Sequence, residues 1–166
     1  MNPNITENDD LISESFEDTL KDRYLTFRIG SEDYGIEIKY VTEIVGIQRI
    51  TELPNIKPYI KGVINLRGLI IPVVEVRVRF GIEHIEYNER TCIIVVNFEN
   101  MAIGLIVDEV NEVCNIASTD ISETPMTNKR SQSRFIQGIG RIHNDVKILL
   151  NISKVLYDDI KENNAE

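Results

Sequence analysis

The same β-rich pattern occurs twice in this chain, at a nearly constant offset. Residues 24–44 align with residues 93–113 at an offset of 69, and residues 59–76 align with residues 135–152 at an offset of 76. Apolar positions coincide along both alignments, and so do glycines. Segments that repeat in the same order and spacing indicate an internal duplication. We therefore expect two related units, with the difference between the offsets absorbed by the polar stretch 117–134.

The repeated pattern is that of β-strands. Residues 25–29 alternate between apolar and polar, which is the period of a half-buried strand, and short β-branched runs recur along both copies. The pair Arg67-Gly68 between two such runs predicts a tight hairpin. Only the segment from Ser153 onward has a helical pattern. A single unit of about 65 residues can bury only a small apolar core, so we expect the two units to pack together. We therefore predict a mostly β fold of two small barrels with a groove between them, a common place for binding.

The charge separates a body from two tails. Residues 1–22 contain seven acids and one lysine, for a net charge of −6, and residues 157–166 contain four acids and one lysine, for −3. Because the whole chain carries −9, residues 23–156 are neutral. We predict an acidic disordered N-terminal tail, one domain over 23–156 and an acidic C-terminal tail. A neutral body lacks the basic field that phosphate backbones require, which argues against a nucleic-acid partner.

The sequence lacks recognisable catalytic and cofactor-binding motifs. Phosphate-binding loops, dinucleotide-binding glycine motifs and nucleophile elbows are absent from the sequence. The two histidines, His84 and His143, are far apart in polar surroundings, and we predict that both are surface residues. Clustered His, Cys or carboxylate ligands at metal-binding spacing are also missing. We therefore predict no catalytic residues, no cofactor and no metal.

The sequence indicates a cytoplasmic protein that does not insert into a membrane. No apolar run approaches the roughly 18 residues that a membrane-spanning helix needs. Residues 1–22 lack the basic cluster and apolar run of a secretion signal. Cys92 and Cys114 are widely spaced, and we interpret them as small apolar residues in a reducing compartment.

The stretch Asn65-Leu66-Arg67-Gly68 is the strongest candidate for a binding role. Glycine suits the left-handed backbone of a tight hairpin, and Arg67 would project from its tip. A guanidinium can pair with carboxylates or carbonyls of a partner, although a solvated arginine on a turn would look the same in the sequence. Glu43, next to the apolar Ile44, has the same two interpretations.

Taken together, these residues and several longer motifs resemble the CheW family of bacterial chemotaxis coupling proteins. The motifs are Tyr34-Gly35-Ile36-Glu37-Ile38, Val41-Thr42-Glu43-Ile44, Ile60 to Gly68, Ile71-Pro72-Val73-Val74, Gly104 to Asp108, and Ile148 to Ile152. The resemblance implies two intertwined, five-stranded SH3-like barrels, with repeats at about 24–79 and 92–152. It further implies a non-catalytic adaptor. Such an adaptor couples the cytoplasmic tip of methyl-accepting chemoreceptors to the regulatory domain of the histidine kinase CheA, and is recruited to membrane receptor arrays.

The resemblance also carries site residues onto matching positions. It implies receptor binding by the side chains of Arg67, Glu43, Val41, Ile44 and Val113. It implies that the shape of the groove depends on Gly62, Asn65, Gly68 and Gly104. For Gly62 and Gly104 we favour a structural turn over a role in binding, and contacts with the kinase are not assigned to single residues.

Three other functions stay open at this point. The chain could serve a receptor array outside chemotaxis, such as one for surface motility or second-messenger output. Small barrels also host nucleic-acid binding, which predicts salt-sensitive affinity for nucleic acid. An unrecognised hydrolase is the third alternative, and only an activity screen would reveal it.

Overall fold

A computed structural model describes residues 20–123 and 133–157. The described part contains eleven strands, two short α-helices and three single-turn 3-10 helices, at Ile38–Tyr40, Ser118–Asp120 and Ser133–Phe135. The first five strands are β1 (Arg23–Ile29), β2 (Glu32–Glu37), β3 (Val41–Gly46), β4 (Ile60–Leu66) and β5 (Leu69–Glu75). The other six are β6 (Cys92–Phe98), β7 (Met101–Val107), β8 (Glu109–Asn115), β9 (Ile121–Ser122), β10 (Ile136–Ile142) and β11 (Asp145–Leu150). The helices are α1 (Val76–Arg79) and α2 (Ile152–Tyr157). The predicted acidic tails lie almost entirely outside the described residues.

The strands form two sheets, as the sequence predicted for a mostly β chain. The six-stranded sheet has the order β8-β1-β2-β11-β10-β9, and the five-stranded sheet has the order β3-β6-β7-β5-β4. The extra strand of the first sheet is the two-residue β9, which the sequence did not predict. Strand β3 ends at Gly46, and an isolated bridge between Thr51 and Val63 follows.

Each sheet takes strands from both copies of the repeat. Strands β1 and β2 of the first copy lie beside β8, β10 and β11 of the second. Strands β6 and β7 of the second copy lie beside β3, β4 and β5 of the first. The two copies pair twice in each sheet. One pair is antiparallel, β1 with β8 and β3 with β6, and the other is a parallel joint, β2 with β11 and β5 with β7. The duplication therefore does not correspond to one sheet per copy.

One pair of coincident glycines, Gly35 and Gly104, lies at these parallel joints. Gly35 is opposite Leu149 in one joint, and Gly104 is opposite Val73 in the other. A Cβ atom on Gly35 would lie 3.0 Å from Leu149 Cδ2, and one on Gly104 would lie 2.8 Å from Val73 Cγ1. At each joint an aliphatic side chain of one copy therefore packs directly against the glycine backbone of the other copy. This packing explains why both copies have glycine at the same position.

The apolar core has three parts. One cluster lies within the five-stranded sheet and includes residues of all five strands: Val45, Ile64, Ile71, Val73, Ile93, Val95 and Ile106. A smaller cluster lies within the six-stranded sheet and includes Tyr24, Cys114, Ile116, Ile121, Ile142 and Leu149. Each sheet therefore curls around its own interior, as a small barrel does. The largest cluster joins both sheets, so the two barrels share a core.

Arg79, at the end of α1, fixes the C-terminal helix to this shared core. Its side chain is buried, and its guanidinium carbon lies 4.8 Å from the centre of the Phe135 ring. Its Nε donates a hydrogen bond of 2.8 Å to the carbonyl of Val155 in α2. A cation at the carbonyl end of a helix is electrostatically favourable. The sequence predicted α2 but neither α1 nor this anchor.

Candidate functional site

Strands β4 and β5 form the predicted hairpin, and Arg67-Gly68 is its two-residue turn. Leu66 and Leu69 are the last paired residues on either side. Both central residues have left-handed backbone angles, with φ of +52° at Arg67 and +87° at Gly68. Two positive φ values are the mark of a type I′ turn, whose twist suits a hairpin. The left-handed glycine was predicted, whereas the left-handed arginine was not.

The guanidinium of Arg67 is paired with the carboxylate of Glu43. Arg67 Nη2 lies 2.5 Å from Glu43 Oε2, while the two side chains are 70% and 33% exposed. Strands β3 and β4 are the two edges of the five-stranded sheet, so the pair bridges the gap that remains where the sheet curls on itself. The hydrogen bond to Glu43 and the charge of Glu43 raise the pKa of Arg67 above its ordinary value. The structure therefore brings these two predicted residues together and shows that Arg67 is not a freely solvated cation.

Large apolar side chains that neighbour both members of the pair in the sequence are exposed. Ile44, which follows Glu43, is 43% exposed. Leu69 and Ile70, just after the turn, are 57% and 59% exposed. A charged pair beside exposed aliphatic groups can bind a partner through both apolar burial and a defined hydrogen-bonding register. The sequence analysis missed Leu69 and Ile70, although their position next to the turn was a usable signal.

The other two predicted receptor-binding residues have different positions. Val41 is only half-buried and packs against the shared core at the start of β3. Val113 is 51% exposed and lies in β8 of the six-stranded sheet, whereas the other four predicted residues belong to the five-stranded sheet. By the duplication offset Val113 is the counterpart of Ile44. The two residues therefore occupy equivalent places on the two barrels.

Gly62 and Gly104 lie within strands, so the expectation that they form turns is wrong. Gly62, in β4, has a φ of +155°, and a Cβ atom there would lie 2.2 Å from the carbonyl oxygen of Thr51. Thr51 and Val63 exchange backbone hydrogen bonds of 2.8 and 2.9 Å at this point. Gly62 thus permits a close backbone approach beside β4, while Gly104 permits the parallel joint described above.

A buried polar cluster lies at the far end of β5. The carboxylate of Glu75 is buried and contacts Nδ1 of His84, a residue predicted to be on the surface. The side chain of His84 is 43% exposed, so the prediction that His84 is a surface residue is confirmed. Arg77 binds Asp108 through two hydrogen bonds of 2.8 and 2.6 Å. These contacts fix the connection between β5 and β6 to the sheet.

This polar cluster has little space for a ligand. The cavity that it lines has a volume of about 10 Å³, enough for about one water molecule. Within the two described ranges, no group of three potential metal ligands occurs. Both cysteines are free and half-buried. No helix in the described part is long and apolar enough to cross a membrane.

Comparison with known proteins agrees with this architecture. The family model described as "CheW-like domain" matches residues 23–159. A relative named chemotaxis protein CheW from Klebsiella aerogenes is 35% identical over 139 residues, which cover 84% of each chain. A protein of the same name from Bacillus subtilis is 30% identical over 135 residues, covering 81% of this chain and 86% of the relative.

A solved structure gives the same result at the level of the fold. It is the crystal structure of the scaffolding protein TtCheW from Thermoanaerobacter tengcongensis, at 32% identity and a TM-score of 0.74. The alignment covers 82% of this chain and 88% of that protein. The family resemblance and the fold expected from the sequence are thereby confirmed. The chain belongs to the CheW-like family of chemotaxis scaffold proteins.

Proposed function

We propose that this chain is a non-catalytic adaptor that couples methyl-accepting chemoreceptors to the histidine kinase CheA. The observation that carries the proposal is the exposed Arg67–Glu43 pair, flanked by exposed Ile44, Leu69 and Ile70. Two relatives of this chain at 30% identity or more are named chemotaxis protein CheW, and one solved structure that it resembles is that of a scaffolding protein. A scaffold acts through its surfaces, and this surface combines apolar area with a fixed charge.

On the receptor side, the partner we propose is the helical cytoplasmic tip. A helical hairpin can bury its apolar stripe against exposed aliphatic side chains such as Ile44 and Ile70. Arg67 would then hydrogen-bond to carbonyl or carboxylate oxygens at the rim of the contact and fix the register. Val41 and Val113 complete the proposed receptor surface, and Gly62, Asn65, Gly68 and Gly104 maintain its shape.

On the kinase side, the partner we propose is the regulatory domain of CheA. We place the domain responsible at residues 23–156, with the acidic segments 1–22 and 157–166 on either side, and the family match over 23–159 supports these limits. We expect the protein to reside in the cytoplasm and to be recruited to receptor arrays by its partners. Weak individual contacts suffice there, because many copies are held together in one array.

An isothermal titration with the purified regulatory domain of a CheA-type kinase from the same genome tests the proposal. We expect saturable binding near one to one. A receptor-tip fragment titrated separately is expected to bind the wild-type chain and to bind Arg67→Ala more weakly. Absence of heat with both the kinase domain and the receptor fragment, when all proteins are folded, would contradict the coupling role.

A further inference from the structure

Four hairpins of this fold have two-residue turns, and they fall into two classes. In the turns Arg67-Gly68 and Glu99-Asn100, both central residues have positive φ. In the turns Gly30-Ser31 and His143-Asn144, a positive φ occurs at the first central residue, +63° at Gly30 and +53° at His143. One place at which the sequences of the two classes differ lies two residues before the turn.

That place holds asparagine in the first class and arginine in the second. Asn65 precedes Arg67 by two residues, and Asn97 precedes Glu99 by two residues. The corresponding residues of the other two hairpins are Arg28 and Arg141. An asparagine side chain can accept a hydrogen bond from a nearby backbone N–H, which an arginine side chain cannot do.

At the Arg67 turn this hydrogen bond is present. The N–H of Gly68 donates to Oδ1 of Asn65 at 2.8 Å. The bond fixes the backbone of Gly68, the second residue of the turn, and the accepting side chain belongs to a residue outside the turn. It therefore favours the backbone arrangement in which Arg67 has a φ of +52°, a conformation that residues with a Cβ atom adopt at a cost.

We propose that Asn65 is the positioning residue for Arg67. The Asn65–Gly68 hydrogen bond stabilises the left-handed backbone of this turn, and the turn presents the guanidinium to Glu43 and to the receptor. The effect on binding rests on the proposed receptor role of Arg67, whereas the effect on the turn does not. Asn65 thus acts on the receptor through Arg67 and needs no receptor contact of its own.

A double-mutant cycle tests the proposal with a receptor-tip fragment as the probe. We expect Asn65→Ala to weaken binding about 3- to 10-fold, the range that loss of one hydrogen bond produces. We expect no further loss when Asn65→Ala is added to Arg67→Ala, because the residue that it positions is already gone. An equal loss in both backgrounds would overturn the proposal, since Asn65 would then act independently of Arg67.

The matched control is Asn97→Ala. Asn97 is exposed and occupies the same place before a turn of the same class, but that turn has Glu99 in place of an arginine. We expect Asn97→Ala to leave receptor binding unchanged. A loss equal to that of Asn65→Ala would contradict the proposal, because a general loosening of hairpins would explain both results.

A second readout separates this proposal from the proposed function. The intraresidue NOE between amide and Hα protons is strong at positive φ, so it reports the backbone of Arg67 without any partner. We expect Asn65→Ala to weaken this NOE at Arg67 and to speed solvent exchange of the Arg67 Nη2 protons, which donate to Glu43, in a chain that remains folded. If both signals stay unchanged, the positioning role is wrong. If they change while Arg67→Ala binds receptor normally, the positioning role stands and the receptor role of Arg67 is wrong.

Discussion

Arg67 and Glu43, 24 residues apart in the sequence, form an ion pair of 2.5 Å across the gap between β3 and β4, the edge strands of the five-stranded sheet. The pair joins the tip of the β4–β5 hairpin to the edge strand β3, so it fixes a side chain that would otherwise be free at an exposed turn. Its charges are balanced within the chain. A partner that binds here can therefore accept hydrogen bonds from the remaining donors of Arg67 without facing an isolated charge.

The first prediction concerns which of the two positions of this pair carries the positive charge. Arg67→Ala should keep the fold and its thermal midpoint, because the side chain is 70% exposed, and should lower receptor-fragment affinity by about tenfold. The exchange Glu43→Arg with Arg67→Glu restores an ion pair but moves the cation to β3. We expect this double variant to remain as weak as Arg67→Ala in a titration with the receptor fragment. Recovery of wild-type affinity would show that the receptor needs an ion pair across the gap between β3 and β4, and not Arg67 itself.

The second prediction concerns the parallel joint at Gly104. A Cβ atom at Gly104 would lie 2.7 Å from Ile93 Cγ2 and 2.8 Å from Val73 Cγ1, distances that side chains cannot keep without moving. Gly104→Ala should lower the free energy of unfolding by about 1–3 kcal/mol in urea denaturation. Gly46→Ala is the control, because a Cβ there meets no atom within 4 Å, and it should be neutral or slightly stabilising. Equal effects of the two variants would contradict the role of the joint.

The third prediction concerns acid stability. Burial acts to raise the pKa of Asp108, but hydrogen bonds from Arg77 and from the N–H of Gly30 outweigh it and hold the pKa below its usual value. A carboxyl with a lowered pKa stabilises the folded state above its unfolded pKa, and this contribution is lost as the pH falls through the folded pKa. The free energy of unfolding should therefore decrease below about pH 4.

Asp108→Asn should reduce this pH dependence and cost about 2 kcal/mol near neutral pH, because it removes charge-assisted hydrogen bonds. Part of the remaining pH dependence of stability arises from Asp33. Burial acts to raise its pKa, but interactions with Lys147 and Arg28 outweigh burial and hold the pKa below its usual value. Urea denaturation between pH 6 and pH 3 measures both quantities. Asp145→Asn, at the exposed start of β11, is the control. If the two variants have the same pH profile, the Arg77–Asp108 pair does not contribute as described.

The fourth prediction concerns the anchor of the C-terminal helix. Arg79→Met keeps much of the apolar stem but removes the hydrogen bonds to the carbonyls of Val155 and Lys154, 2.8 and 3.2 Å long. We expect faster amide hydrogen exchange across Ile152–Tyr157 and a loss of about 1–3 kcal/mol in stability. Arg141→Met, at an exposed position, is the control. Unchanged exchange in the helix would show that apolar packing alone holds it.

Local patterns in the sequence predicted much of the fold. The alternation at residues 25–29, the hairpin at Arg67-Gly68 and the helix after Ser153 all rest on neighbouring residues, which periodicity and turn chemistry describe well. The duplication predicted equivalent strands, and the structure places Ile44 and Val113 at equivalent positions. The exchange of strands between the two copies depends on which distant strands pair, and residue patterns do not record that.

The parts of the site that the sequence left open depend on long-range contacts. The pairing of Arg67 with Glu43 requires the closure of the sheet, and the burial of Glu75 beside His84 requires the path of the connection after α1. The left-handed backbone of Arg67 was also unexpected. Arginine is an unusual residue there, and the stabilising group is the side chain of Asn65, outside the turn itself.

The most direct test of the coupling role is kinase activity in a reconstituted system. Receptor-containing membranes and a CheA-type kinase from the same genome are assayed for autophosphorylation with no adaptor, with the wild-type chain and with Arg67→Ala. We expect the wild-type chain to make kinase activity depend on the receptor, and Arg67→Ala to do so much less well at equal concentration. Receptor control of the kinase that is the same with and without the wild-type chain would contradict the account.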